Sequence, residues 1–307
     1  MIELLSRLFA RQETPEDHLL QAVADAVIDG TDARLRAASH PDRRLRPPVR
    51  TAVDYVRALV RHLEPAVELS AATFGSDPRV HALFGSVESM RQAIGRDPML
   101  HAFERDGGHD AGAETFALLL AERRFKQVLG MELQGELVMR DVRRTLLLFS
   151  GHRLRAVAAN ADDSLRAARI LAFRQLIDAA RRRLDSVKTG RCFDLDGGAE
   201  PAASGAELID IADRWRRTGA ATLALEDYLV LVADVLAHPA RYLRAEPFSA
   251  IVDRMGALAD GSGPADNADG IDLWEIVRPG REAPTSALMV RFRRADFPAP
   301  ATSPVLL

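Results

Sequence analysis

Lysine is almost absent from this chain of 307 residues: of its 41 Lys and Arg residues, only Lys126 and Lys188 are lysine. Lys126 follows Phe125 and Lys188 follows Val187, so neither belongs to a Gly-Lys-Ser/Thr phosphate-binding loop. Neither lysine lies three residues after a serine, which excludes the Ser-x-x-Lys acylation motif. A Schiff-base lysine would have to be one of these two. Most lysine-dependent enzyme classes are therefore excluded.

Cysteine and long apolar runs are also scarce. The single cysteine, Cys192, has no partner for an internal disulfide, which is typical of proteins of a reducing compartment. No apolar run approaches the ~20 residues of a membrane span. Arg7 and Arg11 interrupt the apolar N-terminus, so it lacks the apolar core of a signal peptide. We predict a cytoplasmic protein, and the arginine bias indicates a GC-rich bacterial genome.

The remaining composition is that of a folded globular protein, with 47% apolar and 28% charged residues. The net charge is only −3, and aromatic residues make up 6% without an interleaved pattern. Because nucleic-acid binding draws on positive charge and aromatic stacking, these values argue against a nucleic-acid partner.

Helix signals are frequent along the chain. Thr14-Pro15-Glu16-Asp17 combines a cap, a first-turn proline and an acidic third position, and predicts a helix to Ile28. Pro48 opens a second helix, since apolar residues follow at steps of three or four until Pro65. Further helices are predicted near 65–73, 86–94, 114–129, 162–188, 204–218, 222–236 and 247–258.

Residues 131–150 follow a different pattern. Met131, Leu133, Gly135, Leu137 and Met139 alternate with mostly polar residues, which is the period of a strand rather than of a helix. We predict two antiparallel strands here, although helical stripes can also be drawn. Residues 271–277 and 287–293 alternate in the same way and predict a hairpin.

These elements predict a helix-dominated α+β fold, in which amphipathic helices pack around a small antiparallel sheet; the alternative is an all-α bundle. Four regions are expected: an N-terminal helical region over 1–100, a central helix-hairpin-helix region over 101–190, C-terminal helices with a β-hairpin over 204–294, and an irregular tail over 295–307. We expect them to form one compact domain or two intimately packed ones.

The first candidate site is the polar face of the predicted strands. Glu132, Gln134 and Glu136 would project together, with His152 near in sequence. Carboxylates beside a histidine can bind a metal or perform acid–base catalysis, and Glu132, Glu136 and His152 are the catalytic candidates. A solvated outer face of a half-buried sheet has the same pattern and is the alternative.

Two further groups are weaker candidates. His101, His109 and Asp110 could contribute to a metal site, although their spacing fits no defined motif. Arg50, Arg57 and Arg61 lie along the predicted helix from Pro48 and could bind an anion, although exposed arginines commonly pair locally.

The N-terminal residues 1–11 have one apolar face, formed by Met1, Leu4, Leu5, Leu8 and Phe9. A short helix of this kind can touch a membrane surface, but a single one binds weakly without a second anchor. We expect it to pack on its own domain instead.

No nucleophile motif, phosphate loop, dinucleotide fingerprint or spaced metal site is present, and no cofactor is predicted. The sequence therefore favours a non-catalytic bacterial cytoplasmic interaction or regulatory protein, with a protein partner or a second copy of the chain. The alternative is an enzyme or a ligand- or metal-binding protein that uses the acidic face of Glu132, Glu136 and His152.

Overall fold

The computed structural model describes residues 1–10, 17–106, 113–134, 137–190, 206–219, 223–253, 255–259, 268–278 and 283–298, and the side chains of 132–139 lie outside this description. The chain divides into two compact units. Unit 1 contains Met1–His62, Leu165–Arg244 and Arg278–Gly280, and unit 2 contains Leu63–Ser164, Ala245–Val277 and Arg281–Leu307.

Unit 1 is built from helices. They are α1 (Ile2–Ala10), α2 (Asp17–Thr31), α3 (Pro41–Arg61), most of α8 (Ala161–Lys188), α9 (Ala206–Thr218) and α10 (Leu225–Ala237). Short 3₁₀ segments follow α2 at Ala33–Ala37 and α10 at Pro239–Arg241.

The packing of unit 1 follows from its apolar stripes. Val49, Val53, Val56 and Val60 repeat along α3 and are all buried. α10 is buried on most sides, because nine of its thirteen residues are buried, including Asp227 and Asp234. A buried carboxylate is unfavourable without a partner, so other elements must provide partners for Asp227 and Asp234.

Unit 2 places four short helices against a sheet. The helices are α4 (Ala71–Ser76), α5 (Pro78–Phe84), α6 (Val87–Gly95) and α7 (Pro98–Arg105). The strands are β1 (Val67–Glu68), β2 (Glu114–Gln134), β3 (Leu137–Ala158), β4 (Arg244–Asp253), β5 (Ala268–Val277) and β6 (Thr285–Arg293). Side-chain caps begin the helices, as at Asp97, whose carboxylate accepts from Met99 N at 2.8 Å.

The strand order is β3-β2-β6-β5-β4, and β1 pairs with β6 in parallel. β2 pairs with β6 from Glu114 to Glu122, whereas it pairs with β3 from Phe116 to Gln134. The sheet curls, since residues that follow β4 reach β3: Leu147 N donates to Gly256 O at 2.8 Å, and Leu258 N to Thr145 O at 2.9 Å.

β3 is irregular at three places. Its register against β2 shifts near residues 140–141, 151–152 and 156–157. Each shift contains a residue with positive φ, namely Asp141, Gly151 and Ala156. These are β-bulges, in which an extra residue on one strand increases local bend and twist.

The fold is mixed α+β, which confirms the coarse prediction, but the sheet has six strands and is larger than expected. Strand structure within 131–150 is confirmed, but the predicted boundaries are wrong, because β2 ends at Gln134 and β3 begins at Leu137. Residues 142–150 therefore pair with 122–130 and not with 131–139. The helices predicted at 114–129 and 247–258 are wrong, because these residues lie in β2 and largely in β4. Up to Glu122, β2 runs between β3 and β6, so both of its edges form hydrogen bonds within the sheet.

Candidate functional site

The most distinctive surface of unit 2 is the far end of the β2–β3 hairpin. We call residues 124–134 of β2 with residues 137–146 of β3 the arm. The ladder of β2 with β6 ends at Glu122, so among the described residues β3 is the only strand that pairs with β2 along the arm. Its strands extend over roughly 35 Å at about 3.3 Å per residue. A two-stranded ribbon has little stability by itself in water.

The arm exposes large apolar side chains. Phe125 is 51% exposed, Leu129 66% and Met131 67%. Phe125 and Leu129 are four residues apart on one strand and therefore share a face. Their partners across the ladder are Leu147 and Arg143. Exposed apolar side chains grouped in this way mark an interaction site more often than isolated ones do.

A groove of about 370 Å³ lies where the arm joins the sheet, and we call it the root groove. Three segments line it: the end of α5 with Gly85, residues 147–149 of β3, and the end of β4 with the residues that follow. Leu148 and Met255 line this groove and are exposed, Met255 to 82%. Of the ten exposed large apolar residues in the described chain, five lie on the arm or in this groove.

Arg123 fixes the junction between the sheet and the arm. Its guanidinium group forms a bidentate ion pair with the buried carboxylate of Glu275 on β5. The same group lies 4.6 Å from the ring centroid of Phe125 and 4.2 Å from that of Phe248. These cation–π contacts hold the Phe125 ring at the start of the arm.

The charges of the arm are mainly positive among its described side chains. Lys126, Arg140 and Arg143 are exposed, and Arg124 is paired only with the partly exposed Glu122 at 3.3 Å. Arg144 lies 3.5 Å from Asp253. Asp141 is the one acidic residue among the arm's described side chains. The arm thus combines an apolar stripe with several cations.

The structure does not bring Glu132 and His152 together. Glu132 pairs with Met139 near the end of the arm, while His152 lies thirteen residues further along β3 than Met139. At about 3.3 Å per residue this separates them by tens of ångströms. Glu136 lies outside the described residues.

His152 instead belongs to the base of the sheet. Its Nε2 lies 2.7 Å from Leu83 O, and its ring stacks on Phe84 with a centroid distance of 4.8 Å. Burial lowers the pKa of His152, and the hydrogen bond to Leu83 opposes this effect only in part. A half-buried imidazole that bonds a backbone carbonyl and stacks on a phenylalanine ring is typical of a packing role.

Of the three metal candidates, only His101 lies among the described residues. His101 Nδ1 lies 3.4 Å from Glu104 Oε2, and Glu104 also pairs with Arg294. His109 and Asp110 lie outside the described residues. No group of three or more His, Cys, Asp or Glu residues suited to a metal occurs within the part of the chain that the structure describes.

The arginines predicted to bind an anion lie on α3 with different surroundings. Arg50 pairs with Asp17 at 2.9 Å. Arg57 is half-buried, donates to Leu8 O at 3.1 Å and lies 3.7 Å from Asp54. Burial lowers the pKa of Arg57. Arg61 is exposed at the end of the helix. The first two are thus engaged by protein groups.

The N-terminal helix packs on unit 1. Leu5, Leu8 and Phe9 are buried, and the ring of Phe9 lies 6.2 Å from that of Phe173 in an edge-to-face arrangement. No helix in the described ranges has the length and apolar character needed to cross a bilayer.

The sequence patterns did not predict a cluster of buried charges in unit 1. Arg183 of α8 pairs with Asp234 of α10, and Arg241 lies against the same carboxylate at 3.9 Å. Arg183 is one of three consecutive arginines, which are typical of an exposed helix end. The residue that could have indicated this cluster in the sequence is Asp234, because a carboxylate within the apolar helix α10 requires a buried cation.

Comparisons with models of protein families, with curated proteins and with solved structures found no match to this chain.

Proposed function

We propose that this protein is a non-catalytic interaction protein of the bacterial cytoplasm that docks a partner protein on the arm and the root groove. The observation that carries the proposal is the exposure of Phe125, Leu129 and Met131 on the part of β2 that, among the described residues, pairs with β3 alone. Burying these side chains against a partner would stabilise both the complex and the ribbon, at about 25 cal/mol per Å² of apolar area.

The charges of the arm indicate the chemistry of the partner. Lys126, Arg140 and Arg143 border the apolar stripe and are exposed. A partner that carries carboxylates beside apolar side chains is complementary to this surface. The phosphates of a nucleic acid could bind the cations of the arm, but the apolar stripe would remain exposed to water.

The test starts with affinity capture from the native host, by the wild-type chain and by the triple variant Phe125→Ser/Leu129→Ser/Met131→Ser. The matched control is Ile2→Ser/Met99→Ser/Ile209→Ser, which removes three exposed apolar residues elsewhere. A protein captured by wild type and control is then purified, and its affinity for each chain is measured by calorimetry.

We expect the arm variant to bind at least about tenfold more weakly, because exposed aromatic and aliphatic anchors dominate interface energies. We expect added salt to weaken the wild-type complex, since the arm's cations face carboxylates. The partner's binding segment should contain acidic and apolar residues.

Other results would overturn the proposal. Equal binding by the wild type and the arm variant would exclude the arm as the site. If light scattering at micromolar concentration shows a dimer that requires the arm, the partner is a second copy of this chain and not a different protein. A strictly monomeric chain that captures nothing would exclude an interaction function.

A further inference from the structure

The arm has a long strand edge beside which the described residues place no further strand. The ladder between β2 and β6 ends at Glu122. The last backbone hydrogen bond along this edge among the described residues runs from Arg123 N to Pro284 O, at 3.2 Å. We call the stretch of β2 that follows, residues 124–134, the free edge. An edge of this kind presents a row of N–H and C=O groups to which another chain can pair.

Two observations fix the direction of the backbone groups on the free edge. Arg123 N points towards β6, and the bulges of the hairpin lie in β3, so β2 keeps its regular alternation beyond this residue. On the opposite strand, Leu147 N points away from β2 towards Gly256 O, and Leu147 is the ladder partner of Phe125. Both observations direct the N–H and C=O groups of the odd-numbered residues from Phe125 to Met131 away from β3 and towards the free edge.

The side chains along the free edge differ in character between the two faces of the arm. Phe125, Leu129 and Met131 share one face, because they are separated by even numbers of residues, and all three are exposed. Arg124 and Lys126 lie on the other face and are exposed cations. A strand in which apolar and acidic residues alternate would place each kind of side chain beside its complement.

We propose, on the basis of the docking function proposed above for the arm, that its partner adds an antiparallel strand of alternating apolar and acidic residues to the free edge. An antiparallel strand continues the track of β6 along β2. Backbone hydrogen bonds to the odd-numbered residues supply affinity, and the alternating side chains supply specificity. A second copy of the arm fits this edge poorly, because it would set Arg124 and Lys126 beside like charges.

The test uses a fluorescent synthetic peptide of alternating glutamate and valine, about as long as the free edge, and measures its binding to the full chain by anisotropy. One derivative carries N-methyl groups on its valines, and the other carries an equal number on its glutamates. In an antiparallel strand with its valines on the face of Phe125, the valine N–H groups point at β2 and the glutamate N–H groups point away. The derivatives have identical side chains, so each is the matched control of the other.

We expect the unmodified peptide to bind saturably and the valine-methylated peptide to bind at least about tenfold more weakly, because the methyl groups remove the donors that face β2. We expect the glutamate-methylated peptide to keep its affinity within about twofold of the unmodified one. The opposite pattern would overturn the antiparallel arrangement, because it indicates a parallel strand.

Lys126→Glu tests the charge complementarity on the chain itself. The matched control is Arg43→Glu in the first turn of α3, which makes the same change of net charge at another exposed position. We expect Lys126→Glu to weaken binding of the unmodified peptide at least about fivefold and Arg43→Glu to change it by less than about twofold, since salt screens distant charges.

The strand arrangement is overturned if the unmodified peptide does not bind saturably, or if the two methylated peptides bind with equal affinity. The docking function fails separately, when the captured protein binds the wild type and the arm variant equally. A captured protein that requires Phe125, Leu129 and Met131, together with peptides that do not bind, would mean that the partner contacts the arm in another shape. In that case only the strand arrangement fails.

Discussion

The two ends of the β2–β3 hairpin contain similar apolar residues in opposite surroundings. Near the base, Leu119, Ala121 and Leu154 are buried in the core of unit 2. On the arm, Phe125, Leu129 and Met131 are exposed. The difference begins where the pairing of β2 with β6 ends, at Glu122. Apolar residues thus stabilise the fold up to this point and are available for binding beyond it.

The largest expected effect compares one leucine from each end. Leu119→Ala should lower the free energy of unfolding by about 3 kcal/mol, because it leaves a cavity in the core. Leu129→Ala should change it by less than about 0.5 kcal/mol, since the side chain is exposed. Urea unfolding in a Trp215→Phe background measures both, because Trp274 then reports on unit 2. Equal losses would show that the arm is packed in solution.

Glycine substitutions beside the bulges compare the base of the hairpin with the arm, and their expected effect on stability is smaller. Gly151 has a φ of 62°, so Gly151→Ala should cost about 1 kcal/mol through backbone strain. In Gly130→Ala the new Cβ would lie 3.4 Å from Cδ of Arg144, a long side chain that can move. We therefore expect a change of less than about 0.5 kcal/mol in the same urea assay. A larger cost at Gly130 would mean that the arm is as constrained as the base.

The smallest effect depends on pH. Burial holds the pKa of His152 below its ordinary value of about 6.5, so the unfolded chain takes up this proton first as the pH falls. Stability from the neutral imidazole is present above pH ~6.5 and decreases as the pH falls towards the folded-state pKa. His152→Gln should lose less stability between about pH 7 and 5 than the wild type does. Parallel pH profiles would show that His152 contributes nothing to this dependence.

Some of this architecture could be predicted from local signals. The alternation over 131–139 predicts strand structure, and residues 131–134 and 137–139 do lie in strands, although they belong to β2 and β3 and not to one strand. The helix starting at Asp162 or Asp163 is α8, since its apolar stripe and acidic first turn agree. The type of both elements is thus predicted, and the ends are predicted only for α8, where an acidic first turn marks the start.

Other parts depend on partners that are distant in sequence. Leu118, Ala121, Phe125 and Val128 fit a helical stripe, yet Phe116–Ala121 is a continuous apolar run that also suits a central strand. Pairing with β6, which lies more than 150 residues later, decides between them. The candidate site could not be predicted for the same reason, because exposure of the arm depends on where β6 ends.

The three positive-φ residues of β3 have a consequence for solubility. The Leu-Leu-Leu-Phe run at 146–149 is the kind of segment from which amyloid grows, provided that neighbouring molecules can stack on a flat edge. Kinks at Asp141 and Gly151 bracket this run, and residues 256–258 occupy part of its outer edge. Fibre growth from this segment is thereby obstructed in the folded protein while Phe125 and Leu129 stay accessible.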